Sequence, residues 1–179
     1  MSLKLEELIK KNKKIVFFTG AGISTNSGIP DFRGPKGVWK TSTPIYFQDF
    51  ISSKEKRIES WERKFGNELS IDSAVPNEGH RKIAEIMKVK DSFLITQNVD
   101  NLHQDSGVDE AKISELHGNA TYAKCLNCEK RYELENLKTE FLKTNEPPIC
   151  SICGGIVKTA TVSFGQAMPE KEMQISQRK

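Results

Sequence analysis

"KIVFFTGAGISTNSGIPDFRG", Lys14–Gly34, decides how the rest of the chain is read. It opens with an unbroken apolar run holding β-branched and aromatic residues. That is the pattern of a strand buried on both faces, and Gly20 stops it. Gly-Ala-Gly follows at once. In a nucleotide-binding α/β fold the first glycine permits a tight turn and the second lets a pyrophosphate approach the backbone. Thr25 stands where a third glycine would complete the dinucleotide pattern, and no acidic residue ends an obvious second strand downstream. On these residues alone the turn is either a phosphate cradle or an ordinary strand ending, since glycine pairs punctuate many folds. The continuation favours a ligand. Pro30 stiffens the loop while Gly28, Gly34 and Gly37 leave it able to fold over something. Asp31, Phe32 and Arg33 supply an acceptor, an apolar lid and a fixed cation suited to phosphate.

Upstream, Leu3, Leu5, Leu8 and Ile9 predict a short amphipathic helix, and the lysines between Lys10 and Lys14 read as its solvated end. The start carries charges at every turn and lacks a signal-peptide core, and no stretch is long and apolar enough to span a membrane. The expectation is a cytoplasmic protein without membrane contact. A net charge of +3, with acids and bases interspersed, gives no concentrated basic face for direct nucleic-acid binding.

Downstream, "SSKEKRIESWERKFG" has helical periodicity in Ile58, Trp61 and Phe65, and "PNEGHRKIAEIMK" is a helix with Asn77 placed to cap it. "SFLITQN" and "KISEL" read as further strands, "DNLHQDSG" as a helical turn begun by Asp100 and ended by Gly107, and "ATVSF" as one more strand. Strands alternating with helices predict an α/β layered domain with a mainly parallel sheet.

Gln97, Asn98 and Asp100 fall at the carboxyl end of the second strand, where open α/β sheets bind ligands. They are either amide and carboxylate contacts for a sugar and an amide, or an Asx-capped junction. His117 follows the third strand and is either a general base or a structural histidine. His80 and His103 lie in helical patterns and read as structural or exposed, His80 with a packing or capping role.

Four cysteines form two C-x-x-C pairs, Cys125/Cys128 and Cys150/Cys153. Four thiolates so spaced suit a structural, tetrahedral Zn²⁺ in a small module inserted into the sheet domain. A thioredoxin-type redox pair needs one such motif at a helix start, not two matched ones. Gly154 and Gly155 are placed to let backbone amides donate to sulfur.

In this order, "GAGISTNSGIPDFRG", "TQNVDNLHQDSG", "ELHGN", both cysteine pairs and "VSFGQAMPE" resemble the sirtuins, NAD-dependent protein-lysine deacylases, over nearly the whole chain. The resemblance implies a Rossmann-like domain (residues 1–118 and 159–179) and a zinc-binding module (119–158), with the helical stretch 45–90 on the small-domain or cleft side. NAD and an acyl-lysine protein or peptide would meet between them. Gly20, Ala21, Gly22 and Ser24 would lie at the pyrophosphate and ribose. Asp31, Phe32 and Arg33 would form a loop over NAD. Gln97 and Asn98 would address the nicotinamide ribose, and Asp100 the carboxamide. His117 would be the catalytic base, with Asn98 beside it among the catalytic residues. Val162, Phe164 and Gly165 would pair with the substrate backbone by strand addition. The implied products are free lysine, nicotinamide and O-acyl-ADP-ribose.

Two departures from the family pattern matter. The sequence stops in "EKEMQISQRK", where the family's sheet continues, so an incomplete sheet with exposed edge and apolar surface is the expectation. Gln166 stands where many relatives have glutamate, and Trp61 and Lys64 match only the spacing of a Tyr-x-x-Arg pair for succinyl-type groups, which favours a neutral acyl group. ADP-ribosyl transfer and a non-catalytic zinc-bearing interaction role are the alternative functions.

Overall fold

A parallel register joins the two apolar runs. In the computed structural model, which describes residues 2–31, 34, 37–40, 42–66 and 71–179, helix α1 (Ser2–Lys11) leads into β1 (Lys14–Thr19). A 3-10 segment, Ala21–Ser27, follows β1 in place of an α-helix. Next come α2 (Phe47–Ser52), α3 (Lys54–Phe65) and α4 (Glu78–Val89), then β2 (Asp91–Thr96), α5 (Leu102–Asp105) and β3 (Ile113–Glu115). The three strands form one parallel sheet in the order β1-β2-β3, with Phe17 opposite Leu94 and Leu94 opposite Ile113.

A second, antiparallel sheet follows. It consists of β4 (Gly118–Cys125) flanked by β5 (Arg131–Glu133) and β6 (Val157–Thr161), with α6 (Leu134–Thr144) between the latter two. Helix α7 (Glu170–Gln177) returns to the first sheet. β6 crosses the expected boundary between residues 158 and 159 and pairs only within the second sheet.

The helices between 45 and 90 divide. Trp61 on α3, 1% exposed, packs with Ala123, Cys125, Leu137, Phe141, Cys150 and Val157, so α3 belongs to the cysteine module's core. On α4, Ala84 and Met87 pack with Leu94 and Val108 against the parallel sheet. Asn77 starts α4 with a capping box in which its side chain accepts from Gly79 N–H and His80 Nδ1 accepts the Asn77 N–H.

The expectation of a strand buried on both faces holds for β2, whose residues Ser92–Thr96 are all buried. It fails for β1. Val16 is 46% and Phe18 62% exposed, because α7 covers the adjacent column, Phe93 and Ile95, through Met173 and Ile175. Among the described residues β1 has a strand on one side only. The same holds for β3 at the other side of the sheet, which α7 adjoins.

Candidate functional site

The ends of β1, β2 and β3 converge on one cleft of about 890 Å³ between the two sheets. Ala21 after β1, Gln97 and Asn98 after β2, and His117 after β3 all line it, together with Asp31. The opposite wall carries Val162, Phe164 and Gly165. These eight candidate site residues thus share one cavity. Phe32 and Arg33 lie outside the described residues.

Ser24 and Asp100 do not line the cleft; they are buried beneath it and bonded to each other. Ser24 Oγ donates to Asp100 Oδ2 at 2.6 Å, and Asp100 Oδ1 accepts the Leu102 N–H at 3.0 Å at the start of α5, whose N-cap position is Asn101 rather than the expected Asp100. Asn98 joins this layer to the cleft, because its Nδ2 donates to Ser24 Oγ at 3.1 Å while the residue borders the cavity. Gly20 lies at the turn itself, where a Cβ would meet Gln97 Oε1 at 3.9 Å. Gly22 is open on that side, with nothing within 4 Å.

His80 and His103 are fully buried rather than exposed. Because His80 Nδ1 accepts a backbone N–H, the neutral ring carries its proton on Nε2 and directs it at Ser24 Oγ, 3.5 Å away. His103 Nε2 meets Thr19 Oγ1 at 2.9 Å, and that hydroxyl donates onward to Thr96 Oγ1. The two imidazoles stand edge to face, 4.9 Å apart. Burial first, and His80 second, hold His103 down at about 4, so both rings stay neutral inside the protein.

His117 is placed differently. Its Nδ1 lies 2.9 Å from the Gln97 carbonyl oxygen, which can only accept. Nδ1 therefore carries the proton and Nε2 holds the lone pair of a base. The His117 carbonyl accepts the Val162 N–H at 2.8 Å, tying the histidine's backbone to the far wall. That wall is held twice more: the Phe164 carbonyl accepts from Phe47 N–H, and Gln166 Oε1 accepts from Ser163 N–H at 3.1 Å. A glutamate carboxylate accepts in the same way, so Gln166 keeps the bond that its position serves.

Sequence reasoning missed the apolar wall. Ile45, Phe50, Val99, Ala120 and Met168 line the cleft from separate segments; Val99 and Met168 fall within quoted motifs, but no feature of the sequence marked any of the five as cleft-facing. Trp61 turns into the module's core instead of the cleft. Lys64 borders the cleft paired to Asp72 at 2.7 Å, and Arg63, also on the wall, is bonded to Glu59.

The four cysteine sulfurs lie within 4.8 Å of one another, the nearest pairs being Cys125–Cys153 at 3.5 Å and Cys128–Cys150 at 3.6 Å. Tetrahedral Zn²⁺ with bonds of about 2.3 Å puts its sulfurs roughly 3.8 Å apart, so this donor set fits the metal. Asn127 N–H donates to Cys125 Sγ and Ile152 N–H to Cys150 Sγ, both at 3.4 Å. The Tyr132 hydroxyl donates to Cys150 Sγ at 3.1 Å, a further hydrogen bond onto a sulfur of the cluster. Gly155 permits the closeness: a Cβ there would sit 2.9 Å from Asn127 Cγ and 3.0 Å from Cys125 Sγ.

Comparison with known proteins agrees with this architecture. The family model described as "SIR2: Sir2 family" matches residues 20–179. The chain belongs to the Sir2 family. A Rhodopseudomonas palustris sirtuin named NAD-dependent protein deacetylase is 49% identical over 171 residues, 95% of this chain and 68% of that protein. One from Bradyrhizobium diazoefficiens, named NAD-dependent protein deacetylase 1, is 49% identical over 172 residues, covering 96% and 67%. Among solved sirtuins, a Sir2–p53 peptide–NAD+ structure matches with a TM-score of 0.79 at 32% identity, covering 98% of this chain and 70% of that one. The Rossmann-like parallel sheet and the four-cysteine module are thus those of a sirtuin.

Proposed function

We propose that this protein is an NAD-dependent protein-lysine deacylase whose NAD and acyl-lysine peptide meet in the cleft between the two sheets. One observation carries the reading: Ala21, Asn98, His117 and Val162, drawn from four separate motifs, border a single cavity. When bound, NAD supplies an activated ribose carbon that accepts the acyl-lysine oxygen as nicotinamide leaves. Ala21, Gly22 and Gln97 hold its phosphate and ribose side. Asn98 orients the ribose, its own amide fixed by the buried Ser24–Asp100 pair. Ser24 and Asp100 act through that support and through the positions they give to neighbouring backbone. His117, protonated at Nδ1 by its bond to Gln97, takes a ribose hydroxyl proton at Nε2. Asp31, Phe32 and Arg33 cover the cofactor and keep water from it. Val162, Phe164 and Gly165 receive the substrate backbone as an added strand.

Lys64 and Arg63 are already paired with carboxylates, and no tyrosine stands in the Trp61 position, so a neutral acyl group such as acetyl suits the wall better than succinyl. Cys125, Cys128, Cys150 and Cys153 hold a structural Zn²⁺. Free thiols poised for metal fit a reducing compartment, and we place the protein in the cytoplasm. No described helix is long and apolar enough to cross a membrane.

Nicotinamide release, measured on the zinc-loaded chain with and without an acetyl-lysine peptide, tests this. Deacylation requires release that depends on the peptide, with deacetylated peptide formed in step. Release that ignores the peptide would instead point to ADP-ribosyl transfer or NAD cleavage. No release with intact zinc would point to a non-catalytic role.

A further inference from the structure

Lys158 is the one buried lysine or arginine among the described residues, only 3% exposed. No carboxylate pairs with it among those residues, and burial alone draws its amine down to about 8. Its Nζ donates to the Thr161 carbonyl at 2.5 Å and reaches the Thr159 carbonyl at 3.4 Å, with the Phe50 ring 5.9 Å away. The N–H of that same Thr161–Val162 peptide group donates to the His117 carbonyl at 2.8 Å. One peptide plane is therefore gripped at its oxygen by a buried ammonium and at its nitrogen by the backbone of the base.

An unpaired buried charge is costly, and an apolar residue of similar size is the more stabilising choice. Packing alone thus gives no reason for lysine here. A cation on the oxygen of a peptide group also polarises it, strengthening the bond its N–H makes. We propose that Lys158 is a positioning residue for deacylation: its ammonium fixes the Thr161–Val162 peptide group and so sets the register between the substrate-bearing segment and His117. This rests on the reading that the acyl peptide lies along Val162–Gly165.

The test compares Lys158→Met and Lys158→Arg with the parent, each zinc-loaded. The readouts are peptide KM, NAD KM, kcat, Tm and hydrogen exchange at the Val162 amide. Loss of a charge-assisted hydrogen bond raises the peptide KM of Lys158→Met about tenfold or more. Its NAD KM, zinc content and Tm do not fall, and its Val162 amide exchanges faster. Lys158→Arg recovers part of both the KM and the protection. Parental peptide KM with parental Val162 protection in Lys158→Met would overturn the proposal. So would a lowered Tm with every kinetic constant impaired together and no recovery in the arginine variant. If the parent itself shows no peptide-dependent nicotinamide release, the deacylase reading falls, while Val162 exchange still decides whether Lys158 grips that peptide group.

Discussion

The parallel sheet and the cysteine module both bury polar atoms, and they do it by different means. Beneath the cleft, Ser24, His80, Asn98, Asp100, Thr19 and His103 are linked by hydrogen bonds between residues far apart in sequence, with His103 Nδ1 left buried and unpartnered. The cysteine module has a small apolar core in which two members, Cys125 and Cys150, are themselves candidate metal ligands. Its order depends on one shared centre. Stability in the sheet is therefore graded, changing with packing and with the charge of its histidines, whereas stability in the module is close to all-or-none with the metal.

Removing one ligand tests this contrast most severely. Structural zinc contributes on the order of 10–16 kcal/mol in small metal-dependent modules. Cys150→Ser should abolish zinc content and the module's near-ultraviolet signal while the parallel sheet keeps its secondary structure. A zinc-free variant with unaltered melting would erase the distinction. Next in size is His117→Ala. Loss of a general base lowers turnover by about 10²- to 10⁴-fold. Formation of deacetylated peptide should fall by that order, with zinc content and Tm unchanged, since the imidazole is partly exposed and belongs to neither core. Turnover near the parent rate would remove the base role.

Acid should act on the sheet through His103. Its folded value of about 4 lies below the ordinary 6.5, so between those limits the unfolded ring binds a proton that the folded ring refuses. The contribution is complete above pH 6.5 and is lost as pH falls toward 4, by roughly 3 kcal/mol in all. Denaturant midpoints at pH 7 and pH 5 measure it, and His103→Gln should flatten the difference. An unchanged slope in that variant would show that other groups set the acid limit. The smallest effect is expected at Phe18, on the open face of β1. Phe18→Lys should shift stability by no more than about 0.5 kcal/mol, as surface changes do, yet reduce self-association in sedimentation. A large loss of stability there would mean that this face is covered in solution.

Local pattern was enough for the main helices, for the three parallel strands and for the metal, but not for the second sheet: β4 and β5 carry no strand pattern that stood out, and the strand expected at "ATVSF" lies three residues earlier, at Val157–Thr161. Apolar runs, helical periodicity, the Asn77 cap and the paired C-x-x-C spacing each act within a few residues, so "SFLITQN", "PNEGHRKIAEIMK" and the four cysteines were legible directly. The motif order likewise identified the cleft residues Ala21, Gln97, Asn98, His117 and Val162. Tertiary structure alone decided what surrounds them. The pairing of Ser24 with Asp100 spans 76 positions, and that of Thr19 with His103 spans 84. The run in β1 looks as buried as that in β2 until α7 is seen to cover only one column. Nothing local marks Lys158 as buried; its bond to Thr161 is only three residues long, and it is the distant Phe50 ring that tertiary structure sets beside it. Burial and hydrogen-bond partnership depend on which distant segments meet, and no periodicity along the chain encodes that meeting.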